Sequence, residues 1–202
     1  KYSAGQIIDE VLREPDAVPH VANPEKPNFV LGSEEDLRTL IPRIEAAAAS
    51  YKNPKDGRKL RSDAHVLLAG VASYPREAAE NNPANYEKWK AKTVDFLREK
   101  YGDKLFSVVE HLDESHPHIH FYAVDFENLN AKMLHDGHRA AAQLPQFSKE
   151  AGLAFKGAMR EYQSTYYQNV GAQVGLTRIG PGRKRATRDE WNAQKAEAKE
   201  LA

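Results

Sequence analysis

Apolar residues recur at helical spacing in four stretches of the chain. These stretches cover Ala4–Arg13, residues 33 to about 50, residues 83–101 and residues 149–174. Pro15 ends the first stretch, and Gly175 ends the last. Ser33 opens the second with Asp36 three residues further on, which is the spacing of a helix capping pair. We expect a helix in each of the four stretches.

Short runs dense in apolar residues predict strands. They lie at residues 65–72, 105–112 and 118–124. Only a few polar residues separate the last two runs, which is typical of an antiparallel hairpin. Residues 19–27 contain three prolines, which lack backbone donors, so we expect an irregular loop that displays His20.

Composition narrows the chemistry without indicating a partner. The 202 residues can bury a core without disulfides, and the absence of cysteine excludes thiolate catalysis and cysteine-bound zinc. Lysine and arginine total 29 and are balanced by 29 acidic residues, so net charge does not point to a polyanion. No apolar run approaches the roughly 20 residues that span a bilayer, and no signal peptide is evident, so we expect a cytoplasmic protein without membrane insertion.

Four of the eight histidines lie in one short stretch around the predicted hairpin. Residues two apart in a strand point to the same face, so His118 and His120 present both imidazoles to one side. His111 lies opposite them if the strands pair antiparallel, and Glu114 reaches the site from the turn, whereas His116 points away. Three neutral imidazoles predict a metal site with open coordination positions. We therefore expect an α+β fold whose central antiparallel β-sheet carries this three-histidine site on one face and helices on the other.

The spacing of the cluster resembles a known motif. The pattern His-x-Asp-Glu-x-x-Pro-His-x-His is matched by His111, Asp113, Glu114, Pro117, His118 and His120. It resembles the third motif of the MobV (Pre/Mob) plasmid-mobilisation relaxases, which are His-hydrophobe-His (HUH) endonucleases. The start of the chain is similar to the family's opening segment. There His20 corresponds to the first-motif histidine and Asn28–Leu31 to the second motif, with Val30 in place of an acid.

The resemblance implies a relaxase that nicks one DNA strand at a plasmid or mobile-element transfer origin by metal-dependent transesterification. It would form a covalent 5′-phosphate adduct and later rejoin the strand in conjugative mobilisation. The family's metal ligands correspond to His111, His118 and His120, its motif glutamate to Glu114, and its ion to Mn²⁺ or Mg²⁺. Implied partners are transfer-origin DNA, single-stranded or as a hairpin, a type IV coupling protein and accessory DNA-processing proteins. We expect residues 1–202 to form one catalytic domain, as a fragment of a longer protein.

Two kinds of nucleophile remain open. His20 occupies the first-motif position, and an imidazole with an ordinary pKa near 6.5 is mostly neutral at pH 7, with Glu114 available to orient it. Tyr162 and Tyr166 stand four apart on one helical face, like the paired tyrosines of rolling-circle replication initiators. They would indicate an initiator or transposase, although packing in the core is the alternative role for them. A third hypothesis is a non-catalytic DNA-binding regulator with a structural metal.

The C-terminal segment is the predicted DNA contact. Its basic residues are Arg178, Arg183, Lys184, Arg185 and Arg188, with two glycines and no acid among them. Phosphate contacts supply much of the affinity for DNA, so we expect residues 176–202 to form a basic DNA-contacting segment and a terminal helix. A solvated run of charge is the alternative. Residues 52–61 are a second basic stretch that could contact DNA.

Overall fold

A four-stranded antiparallel sheet organises the molecule. The computed structural model of the chain describes residues 3–178. Its strands are β1 (Asn28–Leu31), β2 (Leu68–Ser73), β3 (Leu105–His111) and β4 (His118–Ala123). They lie side by side in the order β1-β3-β4-β2. The predicted α+β class with a central antiparallel sheet is confirmed.

Helices connect and cover the strands. In the described residues they are α1 (Ala4–Val11), α2 (Glu34–Ser50), α3 (Arg76–Asn81), α4 (Pro83–Tyr101), α5 (Ala131–Leu134), α6 (Asp136–Ala141) and α7 (Lys149–Tyr166). The four longest helices, α1, α2, α4 and α7, correspond to the four stretches in which the sequence predicts a helix. Beyond α7 the chain continues through a π-helical turn at Tyr167–Gly171 and a 3-10 turn at Ala172–Val174, so the helical prediction to residue 174 is confirmed.

The predicted hairpin is formed by β3 and β4. Its register places His111 opposite His118 and Val109 opposite His120. On the other side of β4, β2 pairs in antiparallel register and forms one edge of the sheet. β2 begins at Leu68, three residues later than the predicted run, and β1 was not predicted because four residues are too few to show a pattern.

Helices pack on both faces of the sheet, and not only on the face opposite the histidines where the sequence predicts them. α1 and α2 bury their apolar stripes against Val109 and Tyr122, which share the face of His120. Both helices begin at a serine cap, and Ser33 accepts a hydrogen bond from the backbone of Asp36 as the sequence predicts. The histidine cluster therefore lies beside a second hydrophobic core, at the end of the hairpin nearest its turn.

The opposite face carries the larger core. α4 buries Trp89 and Leu97 there, against Ile119 and Phe121 of β4. Gly70 of β2 lies opposite Phe121, and a Cβ at Gly70 would come within 2.3 Å of the phenyl ring, so only glycine leaves room for it. This packing fixes β2 against β4 and hence fixes the edge of the sheet beside the histidines.

Several expectations fall on residues that the structure does not describe. Arg183, Lys184, Arg185, Arg188 and the predicted terminal helix lie outside residues 3–178. None of the helices described within that range combines the length and apolar character needed to cross a lipid bilayer.

Candidate metal centre

The hairpin brings three imidazoles together. His111, His118 and His120 each offer a ring nitrogen, and these atoms all lie within 4.8 Å of one another. The Nε2 atoms of His118 and His120 are 3.1 Å apart. Metal–nitrogen bonds of about 2.1 Å would hold neighbouring ligand atoms roughly 3 Å apart, so this spacing fits a shared ion.

Backbone carbonyls determine which nitrogen each histidine presents. His111 donates from Nε2 to the carbonyl of Val11 at 2.9 Å, which leaves its Nδ1 atom unprotonated. That Nδ1 is buried and has no hydrogen-bond partner among the described residues. His118 donates from Nδ1 to the carbonyl of His116 at 2.9 Å, which frees its Nε2. Such carbonyl contacts are typical of metal-binding histidines, and the partnerless buried nitrogen is the atom that an ion would satisfy.

Burial keeps two of the three imidazoles, those of His111 and His120, neutral. Burial lowers the pKa of His111 to about 4, with the nearby Arg13 charge adding to the effect. Burial likewise lowers the pKa of His120 to about 3, assisted by the other two histidines. Neutral imidazole is the form that binds a metal ion. His111 and His120 are therefore in their ligand form at neutral pH.

Glu114 lies between the histidine triad and His20. Its Oε1 is 3.7 Å from Nε2 of His118 and 4.0 Å from Nε2 of His20. Arg13 donates to the same oxygen at 2.9 Å. The side chain of His20 is 50% exposed, on the loop that the sequence predicts. The structure thus brings the three histidines that the sequence predicts as metal ligands together with Glu114 and with the candidate nucleophile His20.

Arg13 holds this arrangement in place and was missed by sequence reasoning. It donates to both carboxylate oxygens of Asp113, at 2.9 and 2.5 Å, while also binding Glu114. Its backbone has a φ of 59°, a conformation that residues other than glycine seldom adopt. Burial tends to raise the pKa of Asp113, but the hydrogen bonds from Arg13 outweigh this and lower it, so Asp113 stays ionised. No local pattern could signal a contact between residues 100 positions apart.

A second arginine fixes the turn from the other side. Arg76, the first residue of α3, donates to the carbonyls of Leu112 at 2.9 Å and Ser115 at 3.1 Å, and also to that of Glu114. Because one guanidinium binds three carbonyls of the turn between β3 and β4, the backbone of this turn has little conformational freedom. Glu114 is therefore presented by a loop that is held at both its side chain and its backbone.

An open cavity of about 450 Å³ gives access to the site. Its lining includes His118, His120, Val71, Ser73 and the carboxylates of Glu10 and Glu114. Val71 is 56% exposed although it is apolar and lies in the sheet. The geometry therefore offers a polar pocket with nitrogen ligands, two carboxylates and room for a substrate group at the sheet edge.

Comparison with protein-family models shows the family of the chain. The model of the Mob_Pre family, described as plasmid recombination enzyme, matches residues 41–170, which is more than half of the chain. The chain belongs to the Mob_Pre family. This confirms the resemblance to the plasmid-mobilisation relaxases, and with it an enzyme that acts on DNA. A comparison with curated proteins and one with solved structures gave no significant match.

The match covers the triad and Glu114 of this Mob_Pre chain, whereas His20 and Arg13 lie before it. Arg13 contacts Asp113 and Glu114 of the matched region, and the Nε2 atom of His20 lies 4.0 Å from Oε1 of Glu114. The segment that precedes the match therefore completes the site.

The structure does not bring the tyrosines to the triad. In this Mob_Pre chain, Tyr162 and Tyr166 pack with the core that contains Ile119 and Phe121, on the sheet face opposite His118 and His120. The Tyr166 hydroxyl accepts a hydrogen bond from Trp89 at 3.0 Å, and burial raises the pKa of Tyr162 to about 12. Their placement corresponds to the core-packing role and does not favour a tyrosine nucleophile.

Of the DNA-contacting residues predicted in the C-terminal segment, Arg178 is the one that the structure describes. Its Nη2 donates to the carbonyl of Arg160 and to Oγ of Ser164, both at 3.3 Å. Its Nε is buried without a hydrogen-bond partner among the described residues. The Arg178 side chain therefore lies along α7 rather than free in solvent.

Proposed function

We propose that this Mob_Pre enzyme is a relaxase that nicks one DNA strand at the transfer origin of a plasmid or mobile element. It forms a covalent 5′-phosphate adduct and later rejoins the strand in conjugative mobilisation. The observation that carries the proposal is the position of Glu114, within 4.0 Å of both His20 and the histidine triad. A carboxylate between a nucleophile and a metal site serves both binding and proton transfer.

The triad would hold a divalent cation, Mn²⁺ or Mg²⁺, through His111, His118 and His120. When bound, the cation supplies Lewis acidity at the scissile phosphate. The protein's own contribution is orientation, because the Val11 and His116 carbonyls fix the rings before the substrate arrives. The open cavity leaves space for a phosphate oxygen beside the ligands.

His20 is the proposed nucleophile. Its Nε2 is the nitrogen nearer Glu114, so a proton held there leaves the lone pair on Nδ1 for attack on phosphorus. A bond forms from Nδ1 to phosphorus, the bond from phosphorus to the 3′ oxygen breaks, and the electron pair leaves with that oxygen. Glu114 accepts the Nε2 proton, and the 3′ oxygen takes up a proton from water to become a hydroxyl. The product is a neutral imidazole phosphoramidate on the 5′ end.

Rejoining follows as the reverse reaction. A 3′-hydroxyl gives its proton to water and its oxygen bonds to phosphorus, the bond from phosphorus to Nδ1 breaks, and Glu114 returns the proton to Nε2 of His20 as the imidazole leaves. Because the bond energy is retained in the adduct, no nucleotide cofactor is needed. The proposal includes transfer-origin DNA as substrate, a type IV coupling protein and accessory DNA-processing proteins as partners, and a cytoplasmic location. It also keeps Arg178, Arg183, Lys184, Arg185 and Arg188 as contacts with the DNA backbone.

The test is a nicking assay with Mn²⁺ and the labelled single strand of the element's own transfer origin. We expect a nick, and an acid-labile peptide–DNA adduct that mass spectrometry assigns to His20. His20→Ala should abolish both, whereas His65→Ala, an exposed histidine outside the site, should retain them. An adduct on Tyr162 or Tyr166 would replace His20 by a tyrosine nucleophile. Binding of the origin without any nick in Mn²⁺ would instead support a regulatory DNA-binding role.

A further inference from the structure

Two cavities flank the histidine pocket, and the charged side chains that line them have opposite signs. On the His20 side, a cavity of about 520 Å³ is lined by His20 and by four carboxylates, those of Asp9, Glu10, Glu14 and Asp16, of which Glu10 also lines the histidine pocket. Of these, Glu14 is paired with Arg38. The remaining negative charge repels a phosphodiester chain. A bound DNA strand is therefore expected to leave the histidine pocket in another direction.

The second cavity, which we call the β2–α7 groove, lies across the edge of the sheet. It has a volume of about 410 Å³ and is lined by β2 residues together with Gln163, Tyr167, Thr177 and Arg178. Among its described lining residues there is no carboxylate, and Arg178 is the only charged side chain. The groove is thus electrostatically suited to the polyanion that the acidic cavity rejects.

The groove and the histidine pocket share a wall. Val71 and Ser73 line both cavities, and Ser73 lies opposite His118 while Val71 lies opposite His120 in the register of β2 and β4. β2 is an edge strand, so nothing in the sheet separates the two cavities beyond it. A chain that occupies the histidine pocket can therefore continue over this edge into the groove. The exposure of Val71, unexplained by folding, is accounted for by such a covering chain.

The groove is also built on an unusual piece of backbone. Tyr167–Gly171 forms a π-helical turn, a conformation that is rare and is frequent at functional sites. The Tyr167 ring lies against the bare α-carbon of Gly171, since a Cβ there would come within 3.1 Å of the ring. The turn therefore places a partly exposed aromatic ring in the wall of the groove that Arg178 also lines.

We propose that the β2–α7 groove binds a nucleotide of the single-stranded DNA substrate that flanks the reacting phosphate. The base stacks on Tyr167, the phosphate accepts hydrogen bonds from Arg178, and the strand crosses Val71 and Ser73 to enter the histidine pocket. This inference rests on the proposed function for the identity of the substrate. Stacking on an aromatic ring is indifferent to base identity, so the groove contributes affinity and direction and not sequence recognition.

Photo-cross-linking locates the strand without any need for cleavage. The full chain is mixed in EDTA with single-stranded transfer-origin DNA that carries 5-iodouracil at one position beside the nick site, moved one nucleotide at a time. After irradiation, peptides are identified by mass spectrometry. We expect the position next to the nick to cross-link Tyr167. Cross-links confined to the segment from Asp9 to His20 would overturn the inference, because the strand would then leave over the acidic cavity.

Binding of a labelled oligothymidylate measures the contribution of each side chain. Tyr167→Leu should weaken binding about tenfold, and Tyr167→Phe, which keeps the ring, should restore it. Arg178→Gln should weaken binding about tenfold and reduce its salt dependence, while Arg139→Gln, an exposed arginine on α6 outside the groove, should not. Equal effects of the two arginine variants, or no difference between Leu and Phe at position 167, would contradict the proposal.

The nicking assay separates this inference from the proposed function. Nicking in Mn²⁺ with cross-links that avoid the groove would retain the relaxase and reject the groove. Cross-linking at Tyr167 without any nick would retain the groove as a DNA site and reject the cleavage chemistry.

Discussion

Arg13 connects the two parts of the candidate site at the scale of single residues. It is buried, with 4% of its side chain exposed, and its charge is shared between Asp113 and Glu114. A guanidinium can bind one carboxylate with two parallel hydrogen bonds and still donate to another, which an ammonium group cannot do in the same geometry. Glu114 therefore owes its direction to Arg13, although Arg13 touches none of the proposed reacting atoms.

We predict that Arg13→Lys lowers the rate of nicking about a hundredfold while leaving the affinity for single-stranded DNA unchanged. A lysine keeps the charge but releases Glu114 from its fixed position, and small displacements at a reacting centre have effects of this size. Single-turnover kinetics and equilibrium binding measure the two quantities separately. Arg98→Lys, on the exposed side of α4, is the matched control. A loss of DNA affinity equal to the loss of rate would show that Arg13 does not act by positioning.

At the scale of elements, β3 is anchored from behind by a buried polar group. Glu110 is 2% exposed on the face opposite His111. It accepts hydrogen bonds from Lys90 at 2.9 Å, Tyr86 at 2.7 Å and Asn28 at 2.6 Å. Burial tends to raise the pKa of Glu110, but these hydrogen bonds outweigh it and lower the pKa, so the group remains a carboxylate. The stabilisation it gives is present above its unfolded pKa and declines as the pH falls towards the folded value.

We predict that Lys90→Met destabilises the fold by about 3–5 kcal/mol, because it leaves the buried Glu110 carboxylate without its cation. Lys88→Met, an exposed lysine of the same helix, should change the free energy of unfolding by less than about 0.5 kcal/mol. Urea unfolding measures both. Combining Lys90→Met with Glu110→Gln removes the uncompensated charge and should recover part of the loss. Equal destabilisation by the two lysine variants would exclude the buried pair as the cause.

The elements that carry the triad could be predicted because their information is local. Alternation in residues 118–124 determines which side chains share a face, and the short turn determines the pairing, so His111, His118 and His120 follow from sequence. The short strand β1 and the helices α3, α5 and α6 show too little periodicity to be recognised. The coverage of the histidine face by α1 and α2 depends on the orientation of whole helices, and the Arg13 and Arg76 contacts depend on tertiary folding. Local sequence patterns contain no information about helix orientation or about contacts made by tertiary folding.

At the scale of the molecule, the site joins segments that are distant in sequence. The family match contains β2, β3 and β4, while α1 and the loop bearing His20 precede it. α1 is tied to the hairpin by the hydrogen bond from His111 to the Val11 carbonyl and by the Arg13 contacts with Asp113. An ion on the triad would therefore bind an arrangement that exists only when α1 has docked on the sheet. Metal binding and folding of the whole molecule should be coupled.

We predict that saturating Mn²⁺ raises the melting temperature, because an ion that binds only the folded chain stabilises it by mass action. At a hundredfold excess over the dissociation constant the stabilisation is about 2.7 kcal/mol. For a domain of this size it corresponds to roughly 5–10 °C. Differential scanning calorimetry in Mn²⁺ and in EDTA measures the shift without reference to activity. His118→Ala should abolish it, and His116→Ala, which changes an exposed ring outside the triad, should preserve it. An equal shift in the His118→Ala protein would mean that the ion binds elsewhere, and the triad would lose its assignment even if the enzyme still nicked DNA.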